Sequence, residues 1–354
     1  MKRPEELVRP EVLALRAYSV ADAAGMVKLD AMELPWPLPE PLRAQLAERL
    51  ARCEIHRYPE PTGRRLREAL ARAMRVPEGM ALILGNGSDD LIQIVTLALA
   101  RPGATMLVPE PTFVIYRQCA TLCGMRLASV PLREDFSFDR EAFLAAIREE
   151  RPALVFLAWP NNPTGTLYPE ADVEAVIRAA EGLVVVDEAY HAYAGASFLG
   201  RLAEFPNLAV MRTVSKLGLA GIRLGYLAAR PEWIEQFHKV RQVYNVNVLT
   251  QVAAEFALEH LEVLEEQARR VLAERTVLAR ALGALPGVTV FPSAANFLLV
   301  RVPDAARADA GLRRHGVLVR NFHGVHPRLA HCLRVTVGTP EENRILLGAL
   351  RESL

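Results

Sequence analysis

The sequence predicts an α/β fold in which a three-layer, mostly parallel sheet is joined by a smaller αβ domain at the C-terminal end. Two observations carry this prediction. From residue 80 onward, short apolar runs alternate with amphipathic helical stretches, which is the pattern of a parallel sheet with helices on both faces. After residue 230 the chain is helical to about residue 285, and then strands and helices alternate again.

The elements follow in chain order. Residues 1–29 are predicted to form a polar arm with a short helix. The proline-rich residues 31–39 are predicted to form an extended segment that crosses the molecule. Helices are predicted next at 41–53 and 63–74. Seven large-sheet strands are predicted at 81–84, 105–108, 126–130, 153–158, 183–186, 209–212 and 226–229. The helices between them are predicted at 89–100, 113–122, 140–149 and 170–180. The smaller domain should contain strands at 288–291, 296–302, 317–320 and 333–337, with helices at 305–314 and from 340.

Length and composition restrict the protein class. A chain of 354 residues accommodates an arm at 1–30, packed with the small domain, a large domain at 31–248 and a small domain at 249–354. The net charge of +1 gives no reason to expect nucleic acid or a membrane as partner. No Cys-x-x-Cys pair, signal peptide or long apolar run is present in the sequence, so we expect a cytoplasmic protein without a membrane span. His323, His326 and His331 lack completing ligands at suitable spacing, and we expect no metal site.

One lysine lies in a stretch that is poor in charge. Lys216 and Arg223 are the only ionised side chains in residues 213–226, which follow an apolar strand. Desolvation lowers the pKa of a lysine amine toward the range in which it attacks a carbonyl. The pair therefore indicates a Schiff-base lysine with a phosphate-binding arginine, although a structural lysine in a loop is the alternative.

Two further strand ends carry candidate ligands. Gly87, Ser88 and Asp89 lie where a strand turns into a helix, and the free amides of a helix N-terminus bind phosphate. Ordinary helix capping would explain the same residues. Phe113 follows the next strand and could stack on a planar ring, while a buried core phenylalanine is the plainer interpretation.

The sharper signals come from two later strand ends. Asn162 lies in a Pro-Asn-Asn-Pro turn that presents its amide as a donor. Asp187 ends an apolar strand and would hold a protonated ring nitrogen, with Tyr190 reaching the same ring; a helix cap at Asp187 is the alternative.

These residues together match the needs of pyridoxal phosphate. Lys216 would form the imine, Asp187 would pair with the pyridine nitrogen, and Asn162 and Tyr190 would contact the phenolic oxygen. Phe113 would stack on the ring. The phosphate ligands would be Gly87, Ser88, Ser215 and Arg223.

The chain resembles the fold-type I pyridoxal-phosphate aminotransferases of the aspartate aminotransferase group, and within it the histidinol-phosphate aminotransferases. The group resemblance rests on three segments: Asn-Pro-Thr-Gly at 162–165, Asp-Glu-Ala-Tyr at 187–190, and the spacing from Ser215-Lys216 to Arg223. The subfamily resemblance rests on Arg-Tyr-Pro at 57–59, Gly-Asn-Gly-Ser-Asp at 85–89, and the segments 242–247 and 332–338.

The resemblance implies further roles. Tyr58 would reach the cofactor phosphate of a second subunit, so the active unit would be a homodimer. Arg334 resembles the arginine that binds a substrate α-carboxylate by a two-pronged ion pair. Three other positions match contacts of the substrate's phosphate or imidazole end: Tyr18, Tyr244 and Arg320. Asn245 is also expected to bind substrate. For Arg320, a surface ion pair is the alternative.

The implied reaction is transamination of L-histidinol phosphate with 2-oxoglutarate, giving imidazole acetol phosphate and L-glutamate in histidine biosynthesis. Where the subfamily carries an Asn-x-Asn-Glu-Asn-Pro segment, this chain has Asp-Ala-Met-Glu-Leu-Pro at 30–35. That apolar replacement keeps an aromatic amino-acid aminotransferase open as an alternative. A phospho-amino-acid decarboxylase on the same scaffold is a third possibility. A non-catalytic sensor ranks last because the sequence has no helix-turn-helix extension.

Overall fold

The computed structural model describes residues 2–15, 17 and 21–354. Within these residues the strands are β1 (Val27–Lys28), β2 (Ala81–Gly85), β3 (Thr105–Glu110), β4 (Arg126–Pro131), β5 (Leu154–Ala158), β6 (Leu183–Asp187), β7 (Leu208–Thr213), β8 (Gly225–Ala229), β9 (Thr289–Val290), β10 (Phe297–Arg301), β11 (Val317–Leu318), β12 (Arg320–Asn321) and β13 (Cys332–Thr336).

The α-helices of the same residues are α1 (Pro4–Leu7), α2 (Pro10–Leu13), α3 (Glu40–Ala51), α4 (Arg64–Ala73), α5 (Ser88–Leu99), α6 (Val114–Cys123), α7 (Arg140–Glu150), α8 (Glu170–Ala179), α9 (His191–Ala194), α10 (Pro231–Val240), α11 (Val248–Glu259), α12 (Leu261–Gly283), α13 (Ala305–Arg314) and α14 (Pro340–Ser353). Short 3₁₀ turns occupy Leu199–Glu204, Ser215–Leu217, Ala220–Ile222 and Pro327–Leu329.

The large sheet contains all seven strands that the sequence predicts, in the order β2-β8-β7-β6-β5-β3-β4. The strands β5, β6 and β7 are buried along their whole length, as expected for a sheet covered on both faces. Separate apolar clusters pack on the two faces, which gives the three layers. The predicted α/β class is therefore confirmed. The strand β8 runs antiparallel to both of its neighbours.

The C-terminal part forms a second, four-stranded sheet in the order β12-β13-β10-β9. Its three pairings are antiparallel, and α12, α13 and α14 pack with it in a separate apolar cluster. The predicted strand at 317–320 is divided into β11 and β12, because β11 pairs with β1 instead of entering this sheet.

The N-terminal residues contact both parts of the chain. The strand β1 pairs in parallel with β11 of the C-terminal part. Farther from this pairing, the Arg9 guanidinium donates to the carbonyl of Leu122 in α6 at 2.9 Å. The N-terminal residues therefore contact the C-terminal part through β1 and the helical layer of the large sheet through Arg9.

Candidate active site

Parallel strands of the large sheet end at one edge, where a cavity of about 110 Å³ lies. Its lining includes nine of the residues that the sequence predicts for cofactor binding: Ser88, Asp89, Phe113, Asn162, Asp187, Tyr190, Ser215, Lys216 and Arg223. Segments far apart in sequence are brought together because their strands are neighbours in the sheet. We call this space the cofactor cavity.

Lys216 follows β7 in a 3₁₀ turn that ends at Gly218, whose φ of 91° is a left-handed conformation that glycine adopts without strain. The Lys216 Nζ donates to the carbonyl oxygen of Ala31 at 3.0 Å. Burial, assisted by the positive charge of Arg334, lowers the pKa of Lys216 to about 8, although Glu33 and Asp89 oppose the shift. The amine is therefore available in its neutral, nucleophilic form only a little above neutral pH.

Asp187 is the last residue of β6 and is 4% exposed. Its Oδ2 accepts a hydrogen bond of 2.6 Å from the Tyr116 hydroxyl, and its Oδ1 accepts from the Ala189 amide at 3.0 Å. Burial raises the pKa of Asp187 to about 7 despite these two hydrogen bonds. A cationic ring nitrogen beside this carboxyl would favour its ionised form, so the site suits a protonated pyridine.

The N-terminus of α5 and the turn before β8 form the end of the cavity that suits an anion. Arg223 Nη1 donates to Ser215 Oγ at 3.4 Å, and Arg223 Nη2 lies 3.7 Å from an Asp89 carboxylate oxygen. Gly87 has a φ of 87°, and a Cβ at this position would lie 2.7 Å from Arg223 Nη2. A side chain at Gly87 would therefore fill the space beside the arginine. This open cradle at a helix N-terminus fits a phosphate group.

Ring-binding candidates line the wall between the two ends of the cavity. Asn162 is 6% exposed, and its Oδ1 accepts from Arg334 at 2.6 Å, which leaves its Nδ2 as the remaining side-chain donor. Phe113 meets the Tyr116 ring edge to face, with centroids 5.7 Å apart. Tyr190 packs in the same way on Phe297 at 5.2 Å. These packing contacts fix the orientation of both aromatic rings.

A second cavity of about 300 Å³ shares Met32, Phe113 and Asn162 with the cofactor cavity. We call it the substrate cavity. Arg320 and Arg334 both line it, as do the apolar side chains of Phe322, Val325 and Leu329. Arg117 also lines this cavity and pairs with Glu110. The cavity therefore combines three guanidinium groups with a substantial apolar surface.

Three predicted residues lie elsewhere. Tyr58 is 80% exposed and stacks on Tyr244, with centroids 4.5 Å apart and planes at 12°. Neither ring lines the two cavities described above. Asn245 donates to the carbonyl of Leu84 and to Asp90, which holds the loop before α11 against the large sheet. Tyr18 lies outside the described residues.

Sequence reasoning missed two features of this site. It did not find Tyr116, the hydrogen-bond donor to Asp187, because the two residues are 71 positions apart and one more aromatic in a helix gives no signal. It also missed a buried ion pair next to Asp187, in which Arg212 Nη2 lies 2.7 Å from Glu188 Oε2. Glu188 directly follows β6 and Arg212 lies in β7, and only the pairing of these two strands brings the side chains together.

The donors present fit pyridoxal phosphate. The Gly87 cradle beside Arg223 leaves space for a phosphate, the buried Asp187 carboxyl suits a ring nitrogen, and the Lys216 amine lies in the same cavity. In the described part of the chain, no group of three or more His, Cys, Asp or Glu residues could hold a metal ion. No helix among those residues is long and apolar enough to span a membrane.

Comparison with known proteins agrees with this site. The family described as aminotransferase class I and II matches residues 24–350. Histidinol-phosphate aminotransferase 1 of Burkholderia lata is 55% identical over 355 residues, which cover 100% of this chain and 99% of the relative.

Solved structures extend the comparison. Histidinol-phosphate aminotransferase of Sinorhizobium meliloti in complex with pyridoxal 5′-phosphate superposes with a TM-score of 0.87 at 27% identity, covering 98% of this chain and 97% of that one. L-threonine-O-3-phosphate decarboxylase of Porphyromonas gingivalis superposes with a TM-score of 0.78 at 23% identity, covering 92% of this chain and 99% of that one. This similarity shows a shared fold. The chain belongs to the class I and II aminotransferases, and is a pyridoxal-phosphate-dependent enzyme of that family.

Proposed function

We propose that this enzyme transfers the amino group of L-histidinol phosphate to 2-oxoglutarate, giving imidazole acetol phosphate and L-glutamate in histidine biosynthesis. The observation that carries the proposal is the wall of the substrate cavity that contains Arg320 and Arg334. This wall suits a substrate that carries an anionic group away from its reacting amine. The activity named for the 55% identical relative supports the same substrate.

Of the three guanidinium groups in this cavity, that of Arg117 is paired with Glu110, and the other two suit the two halves of such a reaction. Arg334 is 6% exposed and is hydrogen-bonded to Asn162 of the cofactor cavity. We therefore propose that it binds the carboxylate beside the reacting carbon of glutamate or 2-oxoglutarate. Arg320 lines the substrate cavity from the neighbouring strand, and we propose that it binds the phosphate of histidinol phosphate. Both assignments use the planar, two-pronged geometry with which guanidinium binds oxyanions.

The cofactor would be held by residues that line its cavity and by Gly87 next to them. Arg223, Ser215, Gly87, Ser88 and the N-terminus of α5 would bind the phosphate, and Phe113 would stack on the ring. Asn162 and Tyr190 would contact the phenolic oxygen. When bound, pyridoxal phosphate supplies an electron sink that stabilises a carbanion at the substrate carbon.

Two residues would handle protons. Lys216 Nζ, freed when the substrate amine displaces it, would remove the proton from the reacting carbon as a general base. As a general acid it would then deliver that proton to the carbon of the cofactor that takes over the amino group. A pKa of about 8 suits both roles, because the amine and ammonium forms are both populated near that pH. Asp187 would keep the ring nitrogen protonated through an ion pair, in an orientation that the Tyr116 hydroxyl holds.

An aromatic amino-acid aminotransferase is the second candidate. The apolar lining of the substrate cavity favours it, because Met32 and Phe322 provide apolar surface for the ring of an aromatic amino acid. A decarboxylase is less favoured, because the similarity to the threonine-phosphate decarboxylase is one of fold.

We further propose a cytoplasmic homodimer in which Tyr58 serves the partner subunit's site. Exposed apolar side chains near Tyr58 support an interface there: Ile55 is 73% exposed and Val243 is 65% exposed. The free state of the four cysteines supports a reducing compartment. The domain limits at 1–30, 31–248 and 249–354 stay proposals, supported by the separate sheets on either side of residue 248.

The first test is a single-turnover absorbance measurement on the yellow holoenzyme. Separate samples receive L-histidinol phosphate, L-phenylalanine or L-glutamate, and conversion of the bound cofactor to its amino form is followed. Fast conversion with histidinol phosphate and slow conversion with phenylalanine would support the proposal. Equal or faster conversion with phenylalanine would replace it with the aromatic assignment.

A further inference from the structure

The backbone of residues 29–33, which we call the bridging segment, lies between the catalytic lysine and the small-domain sheet. The carbonyl of Asp30 accepts a hydrogen bond of 2.8 Å from Arg334 Nη2. The next carbonyl, that of Ala31, accepts from Lys216 Nζ at 3.0 Å. Successive peptide groups therefore touch two charged groups of the active site, although no side chain of the segment takes part in either contact.

The residue after these two carbonyls has an unusual backbone conformation. Met32 has a φ of 54°, in the left-handed region that residues other than glycine and asparagine seldom adopt, and it is 9% exposed. Two side chains of the small domain hold it there. The Met32 amide donates to Thr336 Oγ1 at 2.9 Å, and its carbonyl accepts from Asn296 Nδ2 at 2.9 Å.

Both holding residues are buried, with Thr336 at 3% and Asn296 at 1% exposure. Strained backbone persists where the surroundings over-determine it, and it concentrates at functional sites. The peptide that joins Ala31 to Met32 is fixed at both of its polar atoms, because its N–H is bound by Thr336 and its C=O is bound by Lys216. Turning this peptide to relieve the strain would break both contacts.

We propose that Thr336 and Asn296 are positioning residues, which hold the Met32 backbone so that the Ala31 carbonyl receives the Lys216 amine. The carbonyl gives the amine a defined location during the stage in which Lys216 carries a proton. This inference rests on the proposed role of Lys216 as general base and acid. It adds that two side chains of the small domain position the lysine indirectly, through the backbone of residues 31 and 32.

The charged groups around Lys216 determine how the contact can be measured. Arg334 and Arg223 lower the pKa of the amine, and Glu33 and Asp89 raise it, with burial as the largest effect. An ammonium donates a stronger hydrogen bond to a carbonyl than a neutral amine does. Losing the Ala31 contact should therefore lower the pKa of Lys216 further.

The composition of the chain permits a direct measurement. Its lysines are Lys2, Lys28, Lys216 and Lys239, so a protein labelled with ¹³C at lysine Cε gives few signals, and Lys216→Arg identifies the relevant one. The full-length chain is titrated without cofactor and then shown to recover activity when pyridoxal phosphate is returned. This readout does not depend on which substrate the enzyme uses.

The first variant is Thr336→Val, which removes the hydroxyl and keeps the shape. We expect the pKa of Lys216 to fall by about one unit, equivalent to about 1.4 kcal/mol, and Thr336→Ser to restore it. Thr96→Val is the control, because Thr96 is likewise buried and its hydroxyl is also hydrogen-bonded, although as a donor to the Ile92 carbonyl within α5. A Lys216 signal that titrates in Thr336→Val as it does in the unmodified protein would overturn the proposal.

A second pair of variants tests the backbone itself. Met32→Gly favours the left-handed conformation, and Met32→Val disfavours it, while both shorten the side chain. We expect the lysine titration of Met32→Gly to match that of the unmodified protein, and that of Met32→Val to shift downward. Equal titrations in the two variants would contradict the proposal, whereas failure of histidinol phosphate in the single-turnover test would affect only the substrate assignment.

Discussion

Arg320 and Arg334 lie directly opposite each other on the antiparallel strands β12 and β13. Both side chains line the substrate cavity. Like charges at opposed positions of a sheet repel each other, and an anion bound beside both groups would reduce this repulsion. The pair therefore connects the sheet register of the small domain to the charge of the substrate.

Replacing Arg320 should separate the candidate substrates. We expect Arg320→Gln to lower kcat/KM for L-histidinol phosphate by about a hundredfold, because one charge-assisted contact worth about 3 kcal/mol is lost. The value for L-phenylalanine should fall by less than about tenfold. Steady-state kinetics with both substrates measure the difference.

Arg344→Gln is the control for that experiment, because this arginine lies on α14 with a side chain that is 73% exposed. Equal losses for both substrates in Arg320→Gln would argue against a phosphate contact at this position. They would instead indicate that the residue supports the fold of the small domain.

The ionised carboxylate of Asp187 should lower the free energy of unfolding of the cofactor-free protein, compared with an amide at the same position. Its pKa is raised from 3.8 to about 7 by burial, so between these values the native state binds more protons than the unfolded state. The free energy of unfolding therefore falls as pH rises through this window. Asp187→Asn should stabilise the cofactor-free protein at about pH 8, by at most on the order of 4 kcal/mol, and abolish most transamination.

Chemical denaturation at several pH values tests this expectation. The stability gain of Asp187→Asn should shrink as the pH is lowered toward 4, where the native carboxyl is already neutral. Glu232→Gln, an exposed site on α10, serves as the control. A gain that stays constant with pH would mean that the burial cost of the charged form is not its cause.

Gly87 should be essential for phosphate binding. A Cβ at this position would crowd Arg223 Nη2, so Gly87→Ala should raise the Kd for pyridoxal phosphate by at least about tenfold. Gly124→Ala is a matched control, because Gly124 also has a positive φ, of 71°, but a Cβ there would have no atom within 4 Å. Both variants should lose stability, and only the first should lose cofactor affinity.

Titration of the cofactor-free variants with pyridoxal phosphate, followed by absorbance, provides the two dissociation constants. Similar affinities for Gly87→Ala and Gly124→Ala would show that the arginine moves aside without loss. The phosphate assignment of the cradle would then need revision.

The proposed role of Tyr58 can be tested by complementation between inactive subunits. If Tyr58 serves the partner's site, mixing Tyr58→Ala with Lys216→Ala chains should create mixed dimers that each contain one intact site. An equal mixture should regain up to about a quarter of the activity of the unmodified enzyme. Each variant alone should stay near its own low activity.

A mixture that regains nothing, although mixed dimers are detected by native mass spectrometry, would place Tyr58 within its own subunit's function. Sedimentation of the unmodified enzyme provides the accompanying test. An active monomer would rule out the shared site.

Much of this architecture could be predicted because it depends on local patterns. Uninterrupted apolar runs mark β5, β6 and β7, and the polar residues that follow them must meet at one edge of the sheet. The antiparallel direction of β8 could not be read, since an apolar run has no direction. The strand β1 was missed because a pairing of two residues leaves no periodicity.

The unpredicted parts of the site depend on contacts between distant segments. The Tyr116 hydroxyl meets Asp187 only because α6 packs beside the end of β6, and nothing in either segment specifies the other. The left-handed backbone at Met32 is set by Thr336 and Asn296, which are more than 260 positions away. Methionine itself gives no sequence signal for such a conformation.

The single connection between β7 and the antiparallel β8 contains both Lys216 and Arg223. The proposed anchoring points for the reactive carbon and for the phosphate of the cofactor are therefore separated by a short piece of one chain segment, whose ends are fixed by adjacent strands. The distance between these two points is therefore set by the loop and does not depend on which amino donor or acceptor enters. Cofactor analogues with a lengthened phosphate arm should be rejected by this loop alone, whatever the substrate cavity accepts.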